Sequence, residues 1–133
     1  MAVSTGGLTH PDQQALRELV VYLYQSIPDK IEVVALFGSK ARGDSQQDSD
    51  IDVLVILTQE DRELRRKILR QTARFSLKYD LLLSPRVIGA ERWKRMRGFS
   101  LYQNVLRDAA GLGIKNDKLA LQPAPRGSVA RAF

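Results

Sequence analysis

The 133-residue sequence contains no cysteine and a single histidine, His10. These absences exclude disulfide cross-links, thiolate chemistry and any metal centre built on several histidines, so a metal ion bound here would be held by oxygen atoms. No apolar run approaches the roughly 18 to 20 residues of a membrane-spanning helix, and residues 1–10 lack the basic and apolar regions of a signal peptide. We therefore expect a cytoplasmic protein without a membrane partner.

The charge balance favours a polyanionic partner or ligand, because 21 Lys and Arg against 15 Asp and Glu give a net charge of +6. Four arginines recur every four residues along one predicted helix, at Arg62, Arg66, Arg70 and Arg74. Such a stripe is most often a solvated helix face; the alternatives are contact with nucleic acid or with an acidic partner protein. Trp93, which lies among basic residues, is interpreted as a core anchor rather than a base-stacking residue.

Hydrophobic periodicity and turn residues divide the chain into seven elements in the order α, β, β, α, β, α, α. The predicted helices are 11–27, 60–76, 90–96 and 100–110, and the predicted strands are 31–37, 51–57 and 79–83. This order predicts an α+β fold, a small mixed β-sheet backed by helices on one side. The length fits one domain, 11–111, between a flexible leader, 1–10, and a C-terminal tail, 112–133, that we expect to be mobile.

Acidic residues are concentrated where the second strand begins. Asp50 and Asp52 alternate with Ile51 and Val53, so on a strand the two carboxylates project from the same face. They would repel one another, and a divalent cation such as Mg²⁺ would remove that conflict. Asp80, in the third predicted strand, would complete the cluster if that strand lies beside the second, and would permit a second ion about 3.5 to 4 Å from the first. The alternative for Asp80 is an ion pair with Lys78 or a nearby arginine.

The residues after the first strand suit a phosphate group. Gly38 allows close approach of the backbone, Ser39 adds a hydroxyl group, and Lys40 or Arg42 could neutralise a triphosphate. Two alternatives stay open. Gly38 and Ser39 also suit a plain tight turn, and Arg42 could form a salt bridge with a neighbouring acid, Asp44 or Asp48.

The combination of GSKARG, 38–43, with SDIDVLV, 49–55, resembles the signature of the nucleotidyltransferases of the DNA polymerase β superfamily. The similarity to the minimal nucleotidyltransferases of prokaryotes extends from about Val33 through KYDLLL to LYQNVLRDAAGL. The resemblance implies the DNA polymerase β-like nucleotidyltransferase fold, in which Gly38 and Ser39 bind phosphate and Asp50 and Asp52 bind the metal. Asp80 is the candidate for the family's third carboxylate, which can help deprotonate the attacking hydroxyl group.

The resemblance also implies a reaction. An acceptor hydroxyl group attacks the α-phosphate of a nucleoside triphosphate, ATP being the expected donor, with one or two Mg²⁺ ions as cofactors. The chain has little room for a domain that holds the acceptor, and minimal members of the family are paired with HEPN-domain ribonuclease toxins. The implied role is an antitoxin that transfers AMP to a tyrosine of its toxin, within an oligomer that contains both proteins. The alternatives are an antitoxin that acts by binding alone, and a nucleotidyltransferase for RNA or a small molecule, a nucleic-acid partner being the less favoured.

Overall fold

The computed structural model describes residues 7–44 and 49–123, which contain five α-helices and five strands. In chain order these are α1 His10–Ser26, a 3-10 turn Pro28–Lys30, β1 Ile31–Phe37, α2 Ser39–Arg42, β2 Ile51–Leu57, α3 Arg62–Tyr79, β3 Leu83–Gly89, α4 Ala90–Lys94, α5 Ser100–Asp108, β4 Ala110–Lys115 and β5 Lys118–Pro123. The predicted strands 31–37 and 51–57 are thus confirmed at both ends. No helix in these two described segments is long and apolar enough to cross a membrane.

The five strands form one mixed sheet in the order β3-β2-β1-β4-β5. β2 and β3 are parallel, whereas the other neighbouring strands are antiparallel. The predicted α+β class with a small mixed sheet is therefore confirmed.

The helices cover both faces of the sheet, so the prediction that they lie on one side is wrong. Because side chains alternate along a strand, the odd-numbered residues of β2 pack against α1 and α3, while Leu54 and Ile56 pack on the opposite face against α4 and α5. Trp93 of α4 is fully buried there and stacks on Tyr102 of α5, with ring centroids 4.8 Å apart. The interpretation of Trp93 as a core anchor is confirmed.

α1 begins with a capping box just inside the predicted flexible leader. The backbone N–H of Asp12 donates to Thr9 Oγ1 at 3.2 Å, and the backbone N–H of Thr9 donates to Asp12 Oδ2 at 3.0 Å. Leu8, just before the cap, is buried in the main core. Residues 7–9 are therefore packed against the domain, and the rest of the predicted leader, 1–6, lies outside the described residues.

The predicted strand at 79–83 is wrong, because α3 continues to Tyr79 and β3 begins only at Leu83. The predicted helix, 60–76, ends three residues before α3 does, and the buried face of α3 becomes polar toward that end. Thr72 and Ser76 are buried, and their hydroxyl groups donate to the carbonyl oxygens of Ile68 and Thr72 respectively. Side chains that bond their own helix in this way are tolerated in a core but interrupt an apolar period.

The predicted tail contains a β-hairpin. β4 and β5 pair from Ala110 to Pro123 across a two-residue turn, in which Asn116 and Asp117 both have positive φ, 53° and 62°. Two successive left-handed residues match the type I′ turn that joins twisted antiparallel strands. α5 correspondingly ends at Asp108, two residues before the predicted end. Residues 124–133 lie outside the described residues.

Candidate functional site

The sheet brings three strand ends together at one edge. β1 is antiparallel to β2, with Phe37 opposite Asp52, and β2 is parallel to β3, with Asp52 beside Ser84. The end of β1 therefore lies beside the beginnings of β2 and β3. The predicted phosphate-binding residues that follow β1 and the predicted metal ligands that open β2 meet at this edge.

Gly38 is in direct contact with the carboxylate of Asp52. Its φ of 77° and ψ of −159° belong to a region that only glycine occupies readily. A Cβ atom placed on Gly38 would also overlap Oδ2 of Asp52. The Gly38 carbonyl oxygen accepts from the backbone N–H groups of Ala41 and Arg42, both at 3.1 Å, which turns the chain into α2. Ser39, the first residue of α2, is half-buried beside this contact.

Asp52 lies in β2 and Asp50 directly precedes that strand, close enough for its charge to act on the Asp52 carboxylate. The pKa of Asp52 is raised, first by burial and then by the neighbouring negative charge of Asp50. Arg86 and Arg42 oppose the rise, which places both guanidinium groups within electrostatic range of this carboxylate. Burial and the second carboxylate both destabilise the ionised form of Asp52. A bound cation would lower the free energy of the ionised pair. The pair therefore fits Mg²⁺, which needs one or two carboxylates together with substrate oxygens.

Asp80 does not join this pair. It caps the end of α3 in the left-handed conformation, with φ of 52°, and lies beside the groove between α3 and β3. Residues 7–44 and 49–123 contain no group of three acidic or histidine side chains that could hold a metal ion. The predicted cluster of Asp50, Asp52 and Asp80 is therefore contradicted, because it depended on a strand that does not exist. The suggested ion pair with Lys78 is not formed either, since the Lys78 ammonium group binds Glu18 at 2.8 Å.

Lys40 faces away from the site, contrary to its predicted role in binding phosphate. Its ammonium group is completely buried and lies 2.9 Å from Oδ2 of Asp12, the residue that also closes the capping box of α1. The ion pair fastens α2 to the start of α1. Lys40 thus supports the position of the Gly38–Ser39 turn from behind.

Arg42 takes part in a small ionic network at the rim of the site. It donates to Asp44 Oδ2 at 3.1 Å and to Asp108 Oδ2 at 2.8 Å. The predicted alternative of a salt bridge to Asp44 is confirmed, while Asp48 lies outside the described residues. The pKa of Asp108 is lowered, first by its hydrogen bond with Arg107 and also by Arg42. The contact with Asp108 joins the end of α5 to α2.

Sequence reasoning missed Arg86 and Ser84. In the parallel pairing with β2, Ser84 lies beside Asp52 and Arg86 beside Leu54, so both side chains share the face of the carboxylate pair. The third strand at this edge therefore presents a hydroxyl group and an exposed guanidinium group rather than a carboxylate. The signal in the sequence was that Ser84, Arg86 and Ile88 occupy every second position and so share one face of a strand. This pattern can be recognised only when β3 is known to begin at Leu83.

Comparison with known proteins gives a consistent classification. The family model described as polymerase beta, nucleotidyltransferase matches residues 19–85, which is half of the chain and includes Gly38, Asp50 and Asp52. Two proteins of Methanocaldococcus jannaschii that are named protein adenylyltransferases are similar in sequence. One is 45% identical over 60 residues, which are 44% of this chain and 61% of that relative. The other is 29% identical over 97 residues, which are 73% of this chain and 93% of that relative.

Solved structures show weaker likenesses. A nucleotidyltransferase of Sulfolobus solfataricus aligns with a TM-score of 0.49 and 23% identity, over 79% of this chain and 82% of that one. A chain from a toxin-antitoxin structure with AMP-PNP aligns with a TM-score of 0.48 and 20% identity, over 76% of each chain. Likenesses of this size do not extend to partners or substrates. The alignment with the first M. jannaschii relative spans about three fifths of that protein's length.

Proposed function

The chain belongs to the polymerase beta nucleotidyltransferase family, and from this membership we propose that it is a Mg²⁺-dependent antitoxin that transfers AMP from ATP to a tyrosine of a cognate HEPN-domain toxin. The observation that carries the proposal is the contact between Gly38 and the Asp52 carboxylate. It supports the proposal because a backbone turn suited to the approach of phosphate touches Asp52, one of the two proposed metal ligands.

Each part of the site has a role in this reaction. Asp50 and Asp52 would hold Mg²⁺, which when bound neutralises charge on the triphosphate. The backbone of Gly38 and Ser39 would approach the phosphate groups, which a side chain at position 38 would prevent. Arg86, exposed on the same sheet face, would offset the negative charge that develops as the bond to pyrophosphate breaks. The protein would therefore act by positioning and electrostatics, without a covalent intermediate on a side chain.

The transfer itself is a single displacement. The tyrosine oxygen of the toxin forms a bond to the α-phosphorus of ATP, the bond from that phosphorus to the bridging oxygen breaks, and pyrophosphate leaves with the electron pair. The phenol loses its proton to solvent. In the described part of this chain, no third carboxylate stands beside Asp50 and Asp52 to accept that proton.

The names of two relatives support a protein acceptor. The two M. jannaschii relatives are both named for transfer of adenylyl groups to protein. The HEPN-domain toxin as acceptor follows from the resemblance of GSKARG and SDIDVLV to the minimal nucleotidyltransferases.

Intact-mass spectrometry tests the proposal. The purified chain is incubated with Mg²⁺ and each of the four nucleoside triphosphates, with and without the HEPN-domain protein encoded beside it. We expect a mass gain of one or more AMP units on the toxin with ATP, lost in Asp50→Asn and retained in Asp29→Asn. Asp29 is a matched control because it lies in the 3-10 turn before β1, at the other end of that strand from Gly38. Modification that survives Asp50→Asn, or a toxin that is never modified, would contradict the proposal.

A second candidate function is neutralisation of the toxin by binding alone. The position of Asp80 favours it, because the site has two carboxylates where the resemblance implies three. The double variant Asp50→Asn, Asp52→Asn separates the two candidates. If this variant protects cells from the toxin as well as the wild type does at native expression, protection does not require transfer.

A further inference from the structure

A groove runs between α3 and β3 on the face of the sheet opposite to Asp52. Its volume is about 520 Å³, and the side chains that line it are mainly apolar. Ser84 and Arg86 alternate with the groove residues Leu83 and Pro85, so the carboxylate pair and the groove occupy opposite faces of β3. The groove is therefore a separate surface, and what binds there need not touch the nucleotide.

Three of the leucines that line this groove are unusually exposed. Leu77 has 83% of its surface accessible, Leu82 has 55% and Leu69 has 42%. Leu69, Ala73 and Leu77 follow one another at intervals of four residues and so form one row along α3. A continuous row of exposed apolar side chains beside a groove is typical of a surface that another polypeptide covers.

A basic row lies next to the apolar row. The residues that follow Leu69, Ala73 and Leu77 in sequence are Arg70, Arg74 and Lys78, each one helical step further round α3. Lys78 is paired with Glu18 at 2.8 Å. Within residues 7–44 and 49–123, no carboxylate lies within 4 Å of the guanidinium groups of Arg70 or Arg74. The flank of the groove therefore carries positive charge that the described part of the chain does not neutralise.

The edge of the sheet also limits what can bind. β3 is an edge strand, so a peptide could in principle add to the sheet there. Pro85, the third residue of the paired segment Leu83–Gly89, has no N–H to donate, which weakens addition of a strand. The groove between a helix and a strand instead suits a helix that lays apolar side chains at intervals of three and four residues into it.

From these four features we infer that the α3–β3 groove binds a partner protein through an amphipathic helix whose apolar row is flanked by acidic residues. The leucines of the partner would cover Leu69, Leu77 and Leu82, and its carboxylates would pair with Arg70 and Arg74. The inference does not rest on nucleotidyl transfer, because it uses none of the residues of the carboxylate site. It assigns the basic stripe of α3 to a protein partner rather than to nucleic acid.

Fluorescence anisotropy with synthetic probes tests the inference. The first probe is a labelled helical peptide of about 18 residues with leucines at intervals of three and four and glutamates beside them, a length that supports helix formation. The second has lysine in place of glutamate, the third is a scramble of the first, and the fourth is a single-stranded RNA oligonucleotide. We expect the acidic amphipathic peptide to bind most tightly and its affinity to fall as salt is raised.

Variants locate the binding surface. Leu77→Glu should weaken binding of the acidic peptide by about tenfold or more, as expected for loss of a central apolar contact. Because Leu77 is so exposed, this variant should fold normally. Phe99→Glu is the matched control, since Phe99 is an exposed apolar residue at 60% accessibility that does not line the groove. The double variant Arg70→Ser, Arg74→Ser should weaken binding and reduce its dependence on salt.

Other results would overturn the inference. Equal binding of the scrambled peptide, or unchanged binding by Leu77→Glu, would show that the groove is not the site. RNA binding that is lost in the arginine variant but kept in Leu77→Glu would reassign the basic row to nucleic acid. Asp50→Asn should bind the peptide as the wild type does, so that loss of transfer and loss of docking can be told apart.

Discussion

The replacement of Gly38 by alanine tests whether the proposed phosphate-binding turn and the proposed metal-binding pair form one unit. Two costs arise. The backbone at φ 77° and ψ −159° is strained for any residue with a Cβ atom, at roughly 1 to 3 kcal/mol. The added carbon also overlaps Oδ2 of Asp52, and because this atom is the end of a side chain the overlap is relieved by displacing the carboxylate, at little further cost in stability. The expected loss in free energy of unfolding is thus roughly 1 to 3 kcal/mol, and the side chain that must move is a proposed metal ligand.

Gly43→Ala separates these two costs. Gly43 has a similar φ of 79°, but nothing lies within 4 Å of a Cβ atom placed on it. Only the left-handed backbone is penalised there, by about 1 to 2 kcal/mol. The melting temperature should therefore decrease slightly in Gly43→Ala and more in Gly38→Ala. For a domain of this size, each kcal/mol of lost stability lowers the melting temperature by roughly 3 to 5 °C.

Calorimetry of ATP binding in the presence of Mg²⁺ gives the functional readout. At a temperature where both variants are folded, Gly38→Ala should bind ATP at least about tenfold more weakly, whereas Gly43→Ala should stay within about twofold of the wild type. If Gly38→Ala matched Gly43→Ala in both stability and ATP affinity, contact between residue 38 and Asp52 would not matter to the site. The proposed role of Gly38 would then be wrong.

Three further predictions concern charges that the structure places in new roles. Lys40→Met should lower the free energy of unfolding by about 3 kcal/mol or more, because Asp12 would stay buried without its cationic partner. Normal stability with lost ATP affinity would instead support a role of Lys40 in binding phosphate. Asp108→Asn should lower the melting temperature at pH 7. The pKa of Asp108 is lowered in the folded protein, above all by its hydrogen bond with Arg107. The stabilisation by the Asp108 carboxylate is therefore present at a pH above its unfolded-state pKa near 3.8 and is lost as the pH falls through its lower folded-state pKa. A difference in melting temperature between wild type and Asp108→Asn that persists at pH 2 would refute the assignment. Arg86→Ala should weaken ATP binding by about tenfold without a change in melting temperature, and unchanged affinity would remove it from the site.

The parts of the site that lie on β1 and β2 were predictable because they depend on local rules. Alternation along a strand puts Asp50 and Asp52 on one face whatever surrounds them, and an apolar run ended by glycine fixes the end of β1. Antiparallel pairing of the two strands, with Phe37 opposite Asp52, then brings Gly38 and Asp52 to the same edge. The family resemblance adds roles for these residues, and the match of the family model to residues 19–85 is consistent with it.

The errors in the predicted elements arose where contacts with distant segments, rather than a local apolar pattern, set the secondary structure. The apolar run around Asp80 was taken for a strand at 79–83, whereas α3 continues to Tyr79 and the start of β3 at Leu83 is set by its pairing with Ile51 of β2. The hairpin of β4 and β5 is held by pairing with β1, and its turn residues Asn116 and Asp117 were the only strong local signal. Both errors reflect strands and helix ends that are stabilised by partners distant in sequence.

By itself, the sequence determined the lack of thiol and clustered imidazole ligands, the spacing of the two carboxylates, the glycine after β1 and the strands β1 and β2, because composition and period are properties of neighbouring residues. Only the tertiary structure decided which charges face the site. Lys40 adjoins the phosphate turn in sequence yet is buried against Asp12, 28 residues earlier, whereas Arg86 reaches the face of Asp52 through the pairing of β2 with β3. The direction of a side chain is set by what its element packs against, and that information resides in contacts between distant segments.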